Sequence, residues 1–433
     1  MKLFYEKESQ LSKELTLFLQ EEENDNSKIE KILSTMKKSF LKDRFKALQK
    51  WSKKFDKYDL TLNNYRVSEE EIDNLAKKID DQISTSLDVA IARVKEFHTK
   101  QIERGFEFID SDGNRMGQRI SPIDSVAIYV PGGRALYPST VYMEIIPAII
   151  AGVKRIVMFS PPRTYETSSE VAYLIKLFGI KECYRIGGAG AIFSAAYGFD
   201  ELLPVDKIVG PGNIYVATAK RMVYGKVSID MVAGPSEILV IADTKEEKDI
   251  EIIAADLLSQ AEHDPNARSI LIGFDDKFIK KIIDKTYKLA NELTDTKDNA
   301  IESLKNRGVA IVVPNMDIAK IINNIIAPEH LEIFSDNPYK ILEDIKNGGS
   351  IFLGKNSPES VGDYIGGPNH ILPTSGTARF FSPLGVYDFL KRSSFLEFTK
   401  DSLVKYGGNI VSIASKEGLE AHKRSVELRI KKF

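Results

Sequence analysis

The residues whose types and spacing best suit chemistry close the stretch Asp256-Leu-Leu-Ser-Gln-Ala-Glu-His-Asp-Pro265. Ile250, Ile253, Ala254, Leu257, Leu258 and Ala261 recur at helical spacing, and Pro265 breaks the run, so a helix is predicted up to this point. Gln260 and His263 stand three apart, which puts an amide and an imidazole on one helix face within reach of a single small ligand. Glu262, adjacent in sequence, points elsewhere. Taken alone, Gln260 and His263 could equally be a satisfied core pair. The other histidines shift the balance.

The chain holds five histidines in 433 residues. His98 lies in the charged helical stretch Val94-Lys-Glu-Phe-His-Thr-Lys100 and is expected to be solvated. The other four stand beside acids, amides or glycine, in Gln260-Ala-Glu-His263, Pro328-Glu-His330, Gly367-Pro-Asn-His370 and Glu420-Ala-His422. Imidazole titrates near neutrality and is the commonest metal ligand, so such sparing use in such settings points to chemistry. Gln260, His263, Asp363 and His422 together would offer two nitrogens and two oxygens. That set suits a borderline divalent ion such as zinc, with room left for substrate. Their wide separation in the chain puts them beyond the reach of spacing rules.

These side chains need a scaffold, and the sequence supplies an α/β one. From about Asp124, short apolar runs alternate with helical patterns. The expected strands are Val126–Val130, Arg155–Phe159, Cys183–Ile186, Lys207–Val209, Ile238–Ala242, Ser269–Gly273, Ala310–Val313 and Ser350–Leu353. Helices at Ser139–Gly152, Ser168–Phe178 and Ile214–Val223 alternate with them. This is the signature of βαβ units, and so many strands imply two parallel sheets, with ligands at the carboxyl ends of strands. Glycine turns follow three of the strands: Val130-Pro-Gly-Gly133, Ile186-Gly-Gly-Ala-Gly-Ala191 and Val209-Gly-Pro-Gly-Asn213. Each could bring backbone N–H groups to a phosphate, although none completes G-x-G-x-x-G, since Phe193 stands where the third glycine would be. Three on one edge favour a dinucleotide or phosphorylated ligand.

The flanks read differently. Residues 1 to about 110 are charged and helical, with a capping box at Ser68-Glu-Glu-Glu71 opening a long helix to Arg104. Trp51 is expected to pack inward, and the charges from Lys28 to Lys57 to form a solvated face. The loop-rich stretch Gly354-Lys-Asn-Ser-Pro-Glu-Ser-Val-Gly-Asp363 and Gly366-Gly-Pro-Asn-His370 is read as functional, and the chain ends in a helix over Ser415–Ile430.

Bulk properties narrow the classes. A formal charge of −2 with signs interspersed gives no reason to expect nucleic acid or an anionic membrane. The run Ile145-Ile-Pro-Ala-Ile-Ile-Ala151 is too short to span a bilayer. The start Met1-Lys-Leu-Phe-Tyr-Glu6 lacks a signal-peptide core, so a cytoplasmic location is expected. The single cysteine, Cys183, excludes internal disulfides and thiolate zinc clusters.

Long motifs then carry a resemblance. Gly210-Pro-Gly-Asn-Ile-Tyr-Val-Ala-Thr-Ala-Lys220, Asp230-Met-Val-Ala-Gly-Pro-Ser-Glu237, Ser259-Gln-Ala-Glu-His-Asp-Pro265, Pro328-Glu-His-Leu331 and Ser357-Pro-Glu-Ser-Val-Gly-Asp-Tyr364 resemble histidinol dehydrogenase, in the family's order and over essentially the whole chain. The resemblance implies NAD-dependent oxidation of L-histidinol to L-histidine through an aldehyde, with zinc, in a homodimer. It implies zinc ligands Gln260, His263, Asp363 and His422, which with Ser236, His330, His370 and Glu417 also hold the substrate. Glu329 and His330 would be the proton acceptors. Tyr129, Asn213 and the turn at Gly190 would contact NAD, and His422 and Glu417 would cross the dimer interface. Gly190 departs from the family's usual glutamine, which removes one side-chain hydrogen bond but still admits backbone to the nucleotide.

The implied architecture is two Rossmann-like parallel-sheet domains, incomplete as dinucleotide-binding folds, with helical extensions at both ends. Residues 1–25 form the N-terminal extension, and 26–123 a helical part of a large domain that resumes at 237–380 with the metal and catalytic residues. Residues 124–236 form the NAD-contacting domain, and 381–433 a tail reaching the partner subunit.

Three rival readings fare worse. A thiol-dependent aldehyde dehydrogenase would need a reactive cysteine, but Cys183 opens a strand and has no histidine near it in sequence. A zinc-dependent hydrolase with Glu329 as base leaves the glycine turns without purpose, and H-E-x-x-H is absent. A non-catalytic binding protein explains neither Glu329-His330 nor the sparing use of histidine.

Overall fold

The computed structural model describes residues 1–8, 10–20, 27–132 and 137–432. Gly133 of the first glycine turn and residues 21–25 of the N-terminal segment fall outside these. The chain forms two compact units, Met1–Gln101 with Asp124–Asp388, and Ile102–Ile123 with Phe389–Phe433.

Among the described residues the first unit holds two sheets, both wholly parallel. The larger is six-stranded, in the order Lys2–Tyr5, Val309–Val312, Arg268–Gly273, Glu237–Asp243, His330–Ser335, Ser350–Leu353. Its central residues Ile238, Leu239, Val240 and Ile241 are all fully buried. A continuous β-branched run without polar alternation suits a strand covered on both faces. Leu239, Ile241, Ile270, Ile272, Leu331 and Ile333 line one face. Ile238, Val240, Leu271 and Phe334 line the other, under Ile253, Ala254 and Leu257 of the helix Asp249–Ala261.

The smaller sheet is five-stranded, in the order Glu182–Arg185, Arg155–Ser160, Ser125–Tyr129, Lys207–Val209, Ser228–Ile229. The chain steps outward from Ser125–Tyr129 in one direction, then crosses back to place Lys207–Val209 on the other side. A strand switch of this kind leaves a crevice at the carboxyl ends of the two strands that flank it. Phe40, Trp51 and Phe193 pack together beside the helix Gly188–Tyr197, so Trp51 does face inward.

Several local expectations need correction. The N-terminal segment opens with the strand Lys2–Tyr5, paired to Val309–Val312, before its helix Lys13–Gln20. Four residues were too few to show a period. The capping box at Ser68 is present, but its helix ends at Ala76, and the Asp80 side chain caps a second helix, Asp81–Thr99, by accepting from the Gln82 and Ile83 amides. His98 is fully buried rather than solvated. It shares the face of Leu87, Ile91 and Val94, and the charges around it point away. Its Nδ1 lies 2.9 Å from the Val94 carbonyl, and its Nε2 lies 3.4 Å from Asn369 Nδ2. Asn369 also donates to the Met143 carbonyl at 2.6 Å. The stretch read as loop before Asp363 contains the helix Glu359–Tyr364.

The second unit is an antiparallel sheet, Leu390–Glu397, Arg115–Pro122 and Phe106–Ile109, with two helices, Lys400–Lys416 and Glu420–Ile430. The single final helix expected over Ser415–Ile430 is broken at Gly418, whose φ of +75° ends the first. The two helices pack closely enough that Ile430 lies against the bare Cα of Gly407.

Candidate active site

The chemistry-bearing residues of the first unit converge at the amino-terminal edge of the six-stranded sheet. His330 is the first residue of its strand, in register with Ile238 on one side and Ser350 on the other. Glu329 and Ser236 stand just before neighbouring strands. The helix Asp249–Ala261 runs back against the strands, so its last turn delivers Gln260 to this edge and the following turn carries His263. Helix Glu359–Tyr364 supplies Glu359 and Asp363. The carboxyl-end rule therefore fails for this cluster. A helix C-terminus carries the negative end of the macrodipole, which favours a cation beside Gln260 and His263.

Hydrogen bonds set the state of the His330–Glu329 pair. His330 Nδ1 lies 3.1 Å from the Glu237 carbonyl, which can only accept, so Nδ1 carries the proton of the neutral ring. Nε2 is then the basic nitrogen. It is buried, has no hydrogen-bond partner among the described residues and lies 4.0 Å from Asp363 Oδ1. Burial pushes this imidazole down to about 4, outweighing the nearby Asp363 charge and the Glu237 hydrogen bond, so the ring stays neutral at physiological pH. Glu329 accepts from the Glu237 amide at 2.8 Å through Oε2, 3.8 Å from His330 Nδ1. Burial raises its carboxyl well above the ordinary range, the amide hydrogen bond opposes this, and the Glu237, Glu359 and Asp363 charges add to it. The neutral imidazole thus keeps Nε2 free to accept a proton, while burial makes the Glu329 carboxyl a stronger base than an ordinary carboxylate.

Donors for a metal stand beside this pair. His263, Glu359 and Asp363 each offer a ligand atom, all within 4.8 Å of one another. Gln260 is buried, with its Oε1 lacking any partner. An imidazole and two carboxylates so grouped, with an orphaned amide oxygen three residues before the imidazole, fit a divalent ion with mixed nitrogen and oxygen ligands. His370 donates from Nδ1 to the Asp363 carbonyl at 2.9 Å, which fixes the loop behind Asp363, and burial lowers its imidazole as well. Ser236 is half-buried, its carbonyl accepting from the Arg268 amide. Glu417 and His422 belong to the second unit, where both are exposed. Glu359 was not singled out from the sequence. It stands 3.7 Å from His330 Nδ1 and accepts from Ser259 Oγ at 3.2 Å. Its signal was the four-residue spacing to Asp363, which puts both carboxylates on one helix face.

The glycine turns occupy the carboxyl edge of the five-stranded sheet. Tyr129 ends its strand, and its hydroxyl accepts from the Gly188 amide at 3.0 Å. Asn213 caps the helix Ile214–Val223, its Oδ1 accepting from the Tyr215 and Val216 amides, so its exposed Nδ2 is the group left for a ligand. Gly190 faces inward instead. A Cβ there would meet Leu48 at 3.2 Å and Trp51 at 3.4 Å, and its carbonyl accepts from Ser194 Oγ. Cys183 is buried, and burial pushes its thiol up to about 12, so it is no nucleophile. Among the described residues no helix is long and apolar enough to cross a membrane.

Two parallel sheets, a strand-switch crevice edged by glycine turns, and a buried His–Glu pair beside metal-competent donors are what an α/β dehydrogenase would need. The family model described as histidinol dehydrogenase matches residues 19–430. The histidinol dehydrogenase of Listeria monocytogenes is 46% identical over 409 residues, 94% of each chain. That of Clostridium acetobutylicum is 46% identical over 387 residues, 89% of each. The crystal structure of histidinol dehydrogenase from Elizabethkingia anophelis superposes with a TM-score of 0.91 at 34% identity, over 100% of this chain and 98% of that one. The chain belongs to the histidinol dehydrogenase family, and is an oxidoreductase of histidine biosynthesis.

Proposed function

We propose that the protein oxidises L-histidinol to L-histidine in two successive steps, each passing a hydride to NAD. The observation that carries this is His330 Nε2: an unpartnered basic nitrogen on a neutral ring, beside Glu329 and within reach of the metal donors. In the first step the alcohol proton passes to His330 Nε2 as the carbinol hydride departs, leaving the aldehyde. In the second, Glu329 takes a proton from the water that adds to the aldehyde, and the resulting hydrate monoanion passes its hydride to NAD to give the acid. Each base would contribute on the order of 10²–10⁴-fold.

Gln260, His263 and Asp363, with His422 donated across a two-fold dimer, would hold zinc, and Glu359 adds a carboxylate from this chain. When bound, that ion would supply a Lewis-acid anchor for the imidazole and amine nitrogens of the substrate. Ser236, His370 and Glu417 would fix the remaining substrate groups. NAD would lie along the carboxyl edge of the five-stranded sheet, against Tyr129, the backbone at Gly187 and Gly188, and Asn213; Gly190, which faces inward, would not touch it.

The test is histidinol-dependent formation of NADH with histidine as product. Two NADH per histidinol consumed supports the reading. A lack of NADH with histidinol, or release of the aldehyde as the final product, would overturn it.

A further inference from the structure

Behind the Gly210 turn lies a buried charged group with no part in the chemistry above. Glu144, in the helix Pro138–Ala151, is 0% exposed, and neither carboxyl oxygen has a hydrogen-bond partner among the described residues. Lys220 is 2% exposed and Asp230 9%, and the two form an ion pair. Together they hold both peptide groups of Gly210. Lys220 Nζ donates to its carbonyl at 2.8 Å, and its amide donates to Asp230 Oδ2 at 2.8 Å. Gly210 has φ of +120°, and a Cβ on it would lie 2.3 Å from the Tyr129 carbonyl and 2.6 Å from Glu144 Oε1. The turn is thus gripped on two sides by the Lys–Asp pair, and Glu144 fills the third.

We propose that Glu144 is a positioning residue for nucleotide binding: with Lys220 and Asp230 it fixes the turn from Gly210 to Asn213, and this holds only while Glu144 keeps its proton. The group has one cation for two carboxyls. Asp230 has the ion pair and the Gly210 and Met231 amides, so it is the natural anion. Glu144 has no donor for either oxygen, and an anion so placed is costly. Once ionised, it would compete with Asp230 for Lys220 and draw Nζ off the Gly210 carbonyl. Burial raises the Glu144 carboxyl well above its usual range, the Asp230 charge adds to this, and Lys220 opposes it. The Lys207–Asp388 ion pair is the next charged contact beyond Asp230. Tyr129, pushed up to about 12, stays neutral throughout.

This inference rests on reading the edge as the NAD site. Calorimetric titration of the intact protein with NAD, from about pH 7 to about pH 10, tests both, with circular dichroism confirming the fold throughout. Wild-type affinity should fall at least about tenfold over that range, while Glu144→Gln should change by less than about threefold. Wild-type binding above the midpoint should also take up about one proton, read from buffers of different ionisation enthalpy, a measurement that does not depend on the variant folding. Undiminished wild-type affinity, absence of proton uptake, or an equal fall in Glu144→Gln would overturn the role of Glu144. Failure of NAD to bind at any pH would instead overturn the assignment of the edge.

Discussion

The buried His330 imidazole should leave a measurable mark on stability. In the unfolded chain it titrates near the ordinary 6.5 of a histidine, whereas in the folded protein burial holds it at about 4. This is a depressed histidine, so the folded state resists a proton that the unfolded state accepts. Its cost is absent above about pH 7, grows as pH falls through the unfolded value, and levels off below the folded one. At about 1.4 kcal/mol per unit, the loss comes to about 2 kcal/mol by pH 5 and about 3 kcal/mol in full. His330→Gln removes the titrating group. Urea midpoints of metal-stripped wild type and variant, measured between about pH 8 and about pH 5, give the comparison, and subtraction cancels the carboxyls that also titrate there. The variant should start lower, by roughly the 1 kcal/mol of a lost hydrogen bond to the Glu237 carbonyl. The gap should then close as the wild type loses stability faster. Parallel curves would mean that His330 is not held neutral by burial, and its role as a ready base would fall with that.

Other expectations concern the reaction itself. Glu329→Gln should slow oxidation of supplied aldehyde by about 10²–10⁴-fold while leaving alcohol oxidation comparatively intact, and equal losses in both halves would argue against separate bases. Strong chelators should abolish turnover without cooperative unfolding, because the two-sheet core stands without an ion; unfolding on chelation, followed by circular dichroism, would make the site structural. Mixing Glu329→Gln with His422→Ala chains under subunit exchange should restore about a quarter of the sites if His422 acts across the dimer. No recovery despite proven exchange would place His422 in its own subunit's site.

What could be read from the sequence followed the length of each physical signal. Ile238–Ala242 announced itself because a strand buried on both faces must be apolar throughout. The turns after Ile186 and Val209 were placed correctly at strand ends, and of the first, Val130-Pro-Gly132 follows the strand Ser125–Tyr129. His330–Ser335 was missed as a strand because Glu332 and His330 interrupt its apolar run, and both are buried there for reasons that only their neighbours explain. His98 misled for the converse reason: charged residues on the exposed face of its helix hid an imidazole pointing the other way. Glu359 was overlooked because a six-residue helix looked like loop. Glu359 and Asp363 share a helix face by local spacing, but their meeting with His263 is a tertiary fact, carried by the run of helix Asp249–Ala261 back along its strands.

The register of the central strands has a consequence for how the enzyme would fail. His330 is aimed by the same ladder that seals the core, with Ile238 and Ser350 as its partners and Leu331 facing the opposite side. A slip of one residue would bury leucine where the imidazole belongs. Enzymes whose bases ride on loops can fade on warming while the core stays intact, because loops open first. Here the base has no looser element to ride on. Heat should leave His330 aimed until the sheet itself gives way, so activity lost before the core would have to come from groups carried elsewhere, such as Asp363 and His422.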